Sequence, residues 1–442
     1  MKQKSEWKTS TGFILASAGS AIGLGALWKF PYMAGMYGGG AFLLMFLIFT
    51  LCVGLPLLIM EFIVGKMGKT YTTYIYERLV GRKWLNIIGW NGNIAVFLLF
   101  GFYSVIGGWI LIYIIKVLMQ IIGVDPGQLG DIHFESIIGN PVITMIAQGV
   151  FIALTMAIVM FGVADGLEKA SKIMMPLLFI CLILIVVKSL SLEGSMEGVR
   201  FFLQPKLDQI NLNSMLFALG QAFFALSLGT TGMITYASYA SKEMTVKSSA
   251  TSIVLMNVLI SILAGLAIFP ALKSFGYEPE EGPGLLFKVL PRVFMHMQFG
   301  DIFYVIFLVL FLFAALTSSI SLLELNVSNV TKNNNNKRSV AALLISALVF
   351  IIGIPATLSF STLKDVHFGA GTIFDNMDFL VSNILMPLGA LGSTLIVGHL
   401  LNKEALQTYF GNDKFKLFKP WYILIKFILP VVILIIFIMQ LI

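Results

Sequence analysis

Eleven apolar runs, separated by short polar stretches, decide what this chain can become. They lie at roughly 12–36, 41–65, 88–120, 141–162, 172–189, 212–239, 248–272, 298–330, 339–359, 376–400 and 420–441. Each is near the ~20 residues a helix needs to cross a hydrocarbon core, and the third and eighth are long enough to tilt or project beyond it. Only 12% of the 442 residues are charged, about half the share in soluble domains, and the mean hydropathy is +0.92. Backbone in lipid must satisfy its own hydrogen bonds, so these runs specify an all-α polytopic membrane protein, a single unit over 1–442 with no separate soluble domain.

The net charge of +7 does not point to nucleic acid, because the basic residues fall in alternate connecting loops. Lys2, Lys4 and Lys8 precede the first run; Lys66, Lys69, Arg78, Arg82 and Lys83 follow the second; Lys169 and Lys172 follow the fourth. The pattern continues with Lys242 and Lys247, with Lys332, Lys337 and Arg338, and with Lys403, Lys414, Lys416 and Lys419. The other loops are richer in acid, as at Asp125, Asp131 and Glu135 or Glu278, Glu280 and Glu281. The positive-inside rule then puts the N-terminus in the cytoplasm and, after eleven crossings, the C-terminus outside. Met1 to Glu6 lacks the pattern of a cleavable signal. Cys52 and Cys181 both fall in apolar runs, which argues against a disulfide framework or a cysteine metal site.

Two of the runs are interrupted. Gly19-Ser20-Ala21-Ile22-Gly23-Leu24-Gly25 breaks the first, and Leu226-Ser227-Leu228-Gly229-Thr230-Thr231-Gly232 breaks the sixth. Irregular backbone at membrane depth is tolerated where it lines a protein site. A broken helix offers carbonyls from one half, suited to a desolvated cation, and free amides from the other, suited to a carboxylate. No Asp, Glu, Lys or Arg occurs from Thr9 to Trp28 or from Asn211 to Ala240, and a zwitterion fits that neutrality. Thr317 and Ser318, in Ala314-Ala315-Leu316-Thr317-Ser318-Ser319, offer hydroxyl oxygens of the kind a hard cation takes. Since serine also bonds back within membrane helices, their weight comes from pairing with the Gly19 break.

These segments resemble the signatures of the neurotransmitter:sodium symporter family. The first, from Gly19 through Trp28-Lys29-Phe30-Pro31-Tyr32 to Gly38-Gly39-Gly40-Ala41-Phe42, resembles its first-helix motif; Gln221 to Tyr239 resembles the sixth helix and the Thr317 cluster the eighth. The resemblance implies the leucine-transporter fold, with inverted five-helix repeats over 12–189 and 212–400 and a peripheral helix at 420–441. It implies sodium-coupled uptake of an amino acid by alternating access, with no enzymatic step. A substrate-gated, channel-like conductor and a non-transporting sensor on the same fold are the alternatives.

Residue by residue, the resemblance implies one sodium ion at the Gly19, Ile22 and Ala314 carbonyls and the Thr317 and Ser318 hydroxyls. The other sodium site of the family keeps Ala21 and Asn257, while Ala26 and Ala225 stand where side-chain oxygens are expected, so one ion is expected there only if water replaces them. The chloride positions become Phe46, Gln221, Ala225 and Ser261, a set too poor in donors to predict chloride. For the substrate carboxylate the matching positions are Gly23, Gly25 and Tyr103, and Ala21 is a further substrate-binding position. Around its side chain they are Leu99, Phe224, Ser227, Gly229, Thr230 and Leu322, an apolar lining that predicts a hydrophobic or aromatic amino acid. Lys29 and Asp378 match the outer gate, with Phe224 as its lid. Trp7, Ser238 and Tyr239 match the inner gate. The family's inner ion pair would fall on Lys4 and Lys332, which repel, so Glu324 or Glu6 is expected to supply another partner. Partners beyond the lipid bilayer and a small-molecule substrate, and the oligomeric state, are left open.

Overall fold

The computed structural model describes residues 6–124, 134–241, 243–278, 284–332, 334–411 and 416–440. Among them nine continuous helices are long and apolar enough to cross a membrane: Gly40–Gly68, Lys83–Ile121, Pro141–Met160, Val163–Leu190, Val246–Ser274, Gly300–Thr331, Arg338–Leu358, Ile373–His399 and Phe418–Met439. The first apolar run forms Ser10–Ala21 and Gly25–Met36, bent by 50° at the glycine-rich break. The sixth forms Leu212–Ala225 and Gly232–Ser238, with 226–231 irregular between them. The runs read from hydropathy therefore reappear in order, two of them broken at the expected places, in an all-α polytopic membrane protein.

Local chemistry sets the starts. Thr9 accepts from the Gly12 amide at 2.9 Å and caps the first helix. Asn211 and Ser214 form a reciprocal capping box that starts the sixth span, and Thr372 with Asp375 does the same for the tenth, satisfying amides that would otherwise be orphaned. The fifth span begins at Val163, nine residues before the expected 172. Asp165, Glu168 and Lys169 hide its first, widened turn from a hydropathy reading. Short helices Thr72–Val80, Ser195–Leu203 and Lys403–Phe410 lie in the connections.

The third and eighth spans form the interior, 78% and 72% buried over their most apolar windows, against 28% for Phe418–Met439 at the edge. Small residues let the broken helices approach the rest: a Cβ on Gly65 would stand 2.2 Å from the Ile234 carbonyl oxygen, so the second span is packed backbone to backbone on the inner half of the sixth, as membrane helices lacking a hydrophobic drive between them must be.

Candidate functional site

Gly23 and Gly25 release the first span from helical geometry, and the carbonyls before the break turn toward the eighth span. The Ser318 hydroxyl lies 3.1 Å from both the Gly19 and the Ser20 carbonyl oxygens. The Thr317 hydroxyl lies 2.9 Å from the Phe313 carbonyl and 3.0 Å from that of Ala314. Four of the five expected sodium ligands thus fall in two hydrogen-bonded pairs, Ser318 with Gly19 across the spans and Thr317 with Ala314 within the eighth, and Ile22, the fifth, caps the helix that ends beyond Gly19, its amide 2.6 Å from the Ala18 carbonyl. Past the break, the Leu24 amide donates to the Tyr103 hydroxyl at 3.3 Å. A Cβ on Gly23 would stand 2.1 Å from Ser318 Oγ and 2.9 Å from the Tyr103 hydroxyl. Only glycine lets both groups approach the same backbone.

The sixth-span break meets the first directly. Ser227 Oγ donates to the Ser20 carbonyl at 3.2 Å, and Thr230 Oγ1 donates to the Ser227 carbonyl at 2.7 Å. Ser227, Gly229 and Thr231 adopt positive φ of 53°, 77° and 61°, a left-handed conformation that costs most residues of order 1 kcal/mol or more. Glu61 of the second span is the support: its Oε1 accepts from the Gly229 amide at 2.8 Å while the side chain is fully enclosed. Gly229 accordingly faces Glu61 and the Met386 backbone rather than the cavity described next, and it fixes the break instead of lining the pocket. Glu61 went unremarked in the sequence, although a lone acid inside the second apolar run was a visible signal.

Between the breaks is a small cavity of about 30 Å³, walled by Ser20, Ala21, Gly23, Leu24, Gly25, Leu99, Tyr103, Phe224, Ser227, Thr230, Ser318, Leu322 and Met386. All the expected pocket residues except Gly229 are there, with Ser20, Leu24, Ser318 and Met386 added. Phe224 separates it from a larger cavity of about 390 Å³ that reaches Ile433 and Met439 of the last span. Lys29 Nζ sits 4.4 Å from the centre of the Phe224 ring and 3.7 Å from Asp378 Oδ2, and Ser382 donates to Asp378 Oδ1 at 2.7 Å. At the Lys29 end the cavity is closed by an ion pair above an aromatic ring.

The opposite end is closed as well. The Trp7 indole nitrogen donates to the Tyr236 carbonyl at 2.9 Å, and its ring packs edge-on to Tyr236 at 5.2 Å. Tyr239 donates to Glu324 Oε1 at 2.9 Å, and Glu324 is paired with Arg338, both buried. Arg338 also donates through Nε to the Val159 carbonyl at 2.8 Å. Glu324 thus has Arg338 as its ion-pair partner; Glu6 is exposed, Lys332 ends the eighth span in a left-handed cap, and Lys4 lies outside the described residues. Arg338 was read from sequence only as a topology signal. Ser238 donates to the Thr235 carbonyl of its own helix at 2.7 Å, and among the described residues its side chain makes no bond across the gate. A second tie holds the start of the first span: Glu168 accepts from the Lys8 amide at 2.7 Å and the Thr9 hydroxyl at 2.8 Å.

At the other expected ion position Asn257 turns its amide nitrogen to the Ala225 carbonyl at 2.8 Å and the Ala21 carbonyl at 3.5 Å. A donor thus faces the carbonyls a cation would need. Gln221 donates to the Gly25 carbonyl at 2.7 Å. Buried oxygens of Asn257, Gln221 and Ser261 have no protein partner, and Phe46 packs on Phe30 with ring centres 4.7 Å apart.

The profile of the sodium:neurotransmitter symporter family matches residues 4–124 and 133–442. An uncharacterized sodium-dependent transporter of Bacillus subtilis, YhdH, is 48% identical over 98% of this chain and 96% of its own. The sodium-dependent serotonin transporter of Drosophila melanogaster is 26% identical over 83% of this chain and 66% of its own. Among solved structures, that of MhsT in complex with L-phenylalanine superposes with a TM-score of 0.91 at 36% identity, covering 99% of this chain and 100% of that one. With glycine-broken helices facing a central cavity, this chain belongs to the sodium:neurotransmitter symporter family, whose members are sodium-coupled membrane transporters rather than enzymes.

Proposed function

We propose that this protein takes up a hydrophobic or aromatic amino acid together with one sodium ion. The observation that carries the reading is convergence: hydroxyls of Ser227 and Ser318, from two different spans, both approach the Ser20 carbonyl in the first-span break. The relative solved with L-phenylalanine supports the substrate class.

In the proposed cycle sodium displaces the Ser318 and Thr317 hydrogen bonds and is held by those hydroxyl oxygens with the Gly19, Ile22 and Ala314 carbonyls, pinning the first span to the eighth. The substrate carboxylate takes the amides around Gly23 and Gly25 and the Tyr103 hydroxyl; its ammonium takes the Ala21 carbonyl, other break carbonyls and Ser227. Leu99, Phe224, Thr230, Leu322 and Met386 bury its side chain. With no fixed charge in the break segments, substrate and one cation bring a net charge of only +1 into low dielectric, where an unpartnered charge is expensive. Binding both favours closure of Phe224 beneath Lys29 and Asp378, because coupling requires ligands to bind the closed state more tightly.

Release then requires Trp7 and Tyr239 to part from their partners as spans 1, 2, 6 and 7 move against 3, 4, 8 and 9, with inverted repeats over 12–189 and 212–400 supplying the symmetry. The Trp7 end is assigned to the cytoplasm and the C-terminus to the outside on the distribution of basic loops. Asn257 takes the place of a second ion by donating to the carbonyls, and neither Phe46 nor Ala225 can donate to chloride. Uptake of labelled amino acids into proteoliposomes, with sodium, potassium or choline outside, tests the reading. Accumulation above the outside concentration only with sodium supports it; sodium-independent equilibration, or binding without accumulation, refutes it.

A further inference from the structure

The cavity between the two breaks measures about 30 Å³, room for about two water molecules. That is less than a leucine side chain needs and far less than a phenyl ring. A pocket that closes around both must have a wall that yields by different amounts. Space for such a wall lies next door, in the cavity of about 390 Å³. Two residues line both cavities, Phe224 and Met386.

Phe224 is held. Lys29 Nζ stands 4.4 Å from its ring centre, and a Cβ on Gly25 would come within 2.8 Å of its Cδ1, so the ring rests against the first-span break and moves with the lid. The other apolar walls are held too. Thr230 Oγ1 donates to the Ser227 carbonyl at 2.7 Å and accepts from the Gly232 amide at 3.2 Å. Leu99 and Leu322 are buried on the third and eighth spans, the interior of the bundle.

Met386 differs in having a fixed backbone and an adaptable side chain. The Leu385 carbonyl before it accepts from Asn91 Nδ2 at 2.7 Å. The Met386 amide closes the widened turn Leu380–Leu385 onto the Val381 carbonyl. Its own carbonyl oxygen would lie 2.1 Å from a Cβ on Gly229, so the sixth-span break packs directly on it. The side chain is unbranched with three rotatable bonds, the type that fills irregular space by changing rotamer. It can therefore turn from the small cavity to the large one without moving the tenth span.

We infer that Met386 is a specificity-determining residue, an adjustable wall that sets how large a substrate side chain the pocket accepts. The inference rests on the proposed amino-acid uptake and deepens it. Beside an aliphatic substrate the Met386 side chain stays in the pocket and completes its burial. For an aromatic one it turns into the larger cavity and gives up its volume to the ring.

The test is equilibrium binding of labelled L-leucine and labelled L-phenylalanine to the purified full chain in saturating sodium. Wild type is expected to bind both. Met386→Ile keeps the volume but has a stiff, β-branched χ1; its Kd for L-leucine should stay within about threefold of wild type while that for L-phenylalanine rises about tenfold, the scale of one misplaced methylene in an apolar pocket. Met386→Ala removes the wall, so L-phenylalanine should bind near wild type and L-leucine about tenfold more weakly, having lost its apolar neighbour. The ratio of the two Kd values thus moves in opposite directions in the two variants, whereas general damage to the site raises both together. A wild-type ratio in both variants overturns the inference and leaves the uptake reading standing. Absence of sodium-dependent binding of either amino acid to wild type refutes the uptake reading and the inference with it. Should Met386→Ala fail to fold, the volume-conserving Met386→Ile decides alone, and an unmoved ratio there overturns the assignment.

Discussion

Adding one methyl group at Gly23 strikes the proposed sodium and substrate sites together. The new Cβ would stand 2.1 Å from Ser318 Oγ and 2.9 Å from the Tyr103 hydroxyl, where ordinary contact needs about 3.4 Å or more. Ser318 therefore has to move by more than about 1 Å, which breaks its contacts with the Gly19 and Ser20 carbonyls, each 3.1 Å long. Overpacking of this kind costs roughly 1–3 kcal/mol, and each lost hydrogen bond about 0.5–1.5 kcal/mol. Part of that cost is relieved by Ser318 adopting another rotamer, so about 2 kcal/mol is expected, a thirtyfold loss. In Gly23→Ala, the sodium concentration for half-saturation and the substrate Kd should both rise about thirtyfold, measured as sodium-dependent binding of labelled amino acid to purified protein. Ser318→Ala is the contrast. It removes one ligand without a clash, so the sodium requirement rises while substrate affinity at saturating sodium stays near wild type. Wild-type affinity for both ligands in Gly23→Ala would refute the geometry.

Tyr103→Phe deletes the hydroxyl proposed for the carboxylate, a hydrogen bond to a charged group worth about 1.5–3 kcal/mol; substrate affinity should fall at least tenfold with the sodium requirement of the free protein unchanged, and an unaltered affinity counts against the role. Tyr239→Phe removes the bond from the sixth span to Glu324 while leaving the Glu324–Arg338 pair intact, so the inner side should open more often, read as faster modification of a cysteine placed beneath Trp7; equal rates contradict the gate. Arg338→Met leaves a buried carboxylate alone and should cost about 3–5 kcal/mol of stability, visible as a lower unfolding temperature than that of Tyr239→Phe. Asp378→Asn breaks a half-exposed pair at 3.7 Å worth about 1 kcal/mol or less, so substrate affinity should change by less than about fivefold, and a larger loss would mean Asp378 contacts the substrate.

Much of the fold was legible because lipid imposes one rule on every span: enough apolar residues in a row to cross it. The breaks at Gly19 to Gly25 and Leu226 to Gly232 were legible for the complementary reason that glycine and small hydroxyl residues at that density free backbone groups, which membrane depth tolerates only where they line a protein site. What hydropathy missed was polar by necessity. The first turn of the fifth span carries Asp165, Glu168 and Lys169, and Glu168 is occupied in holding Lys8 and Thr9. Glu61 and Gly229 stand 168 residues apart in sequence, and no local pattern could have paired them. Likewise, Glu324 and Arg338 are separated by the turn between two spans, and their union depends on how those spans pack. The family resemblance carried the site positions, but it read Gly229 as pocket lining, whereas the fold gives its amide to Glu61.

Asn257 and Thr317 divide the question of how many ions the site takes. Equilibrium binding of radioactive sodium to the purified chain, with saturating substrate, tests this most directly. The proposed arrangement predicts about one ion per chain and a Hill coefficient near one, with binding abolished in Thr317→Ala/Ser318→Ala and retained in Asn257→Ala. About two ions per chain, or sodium binding that survives the double substitution, would contradict it.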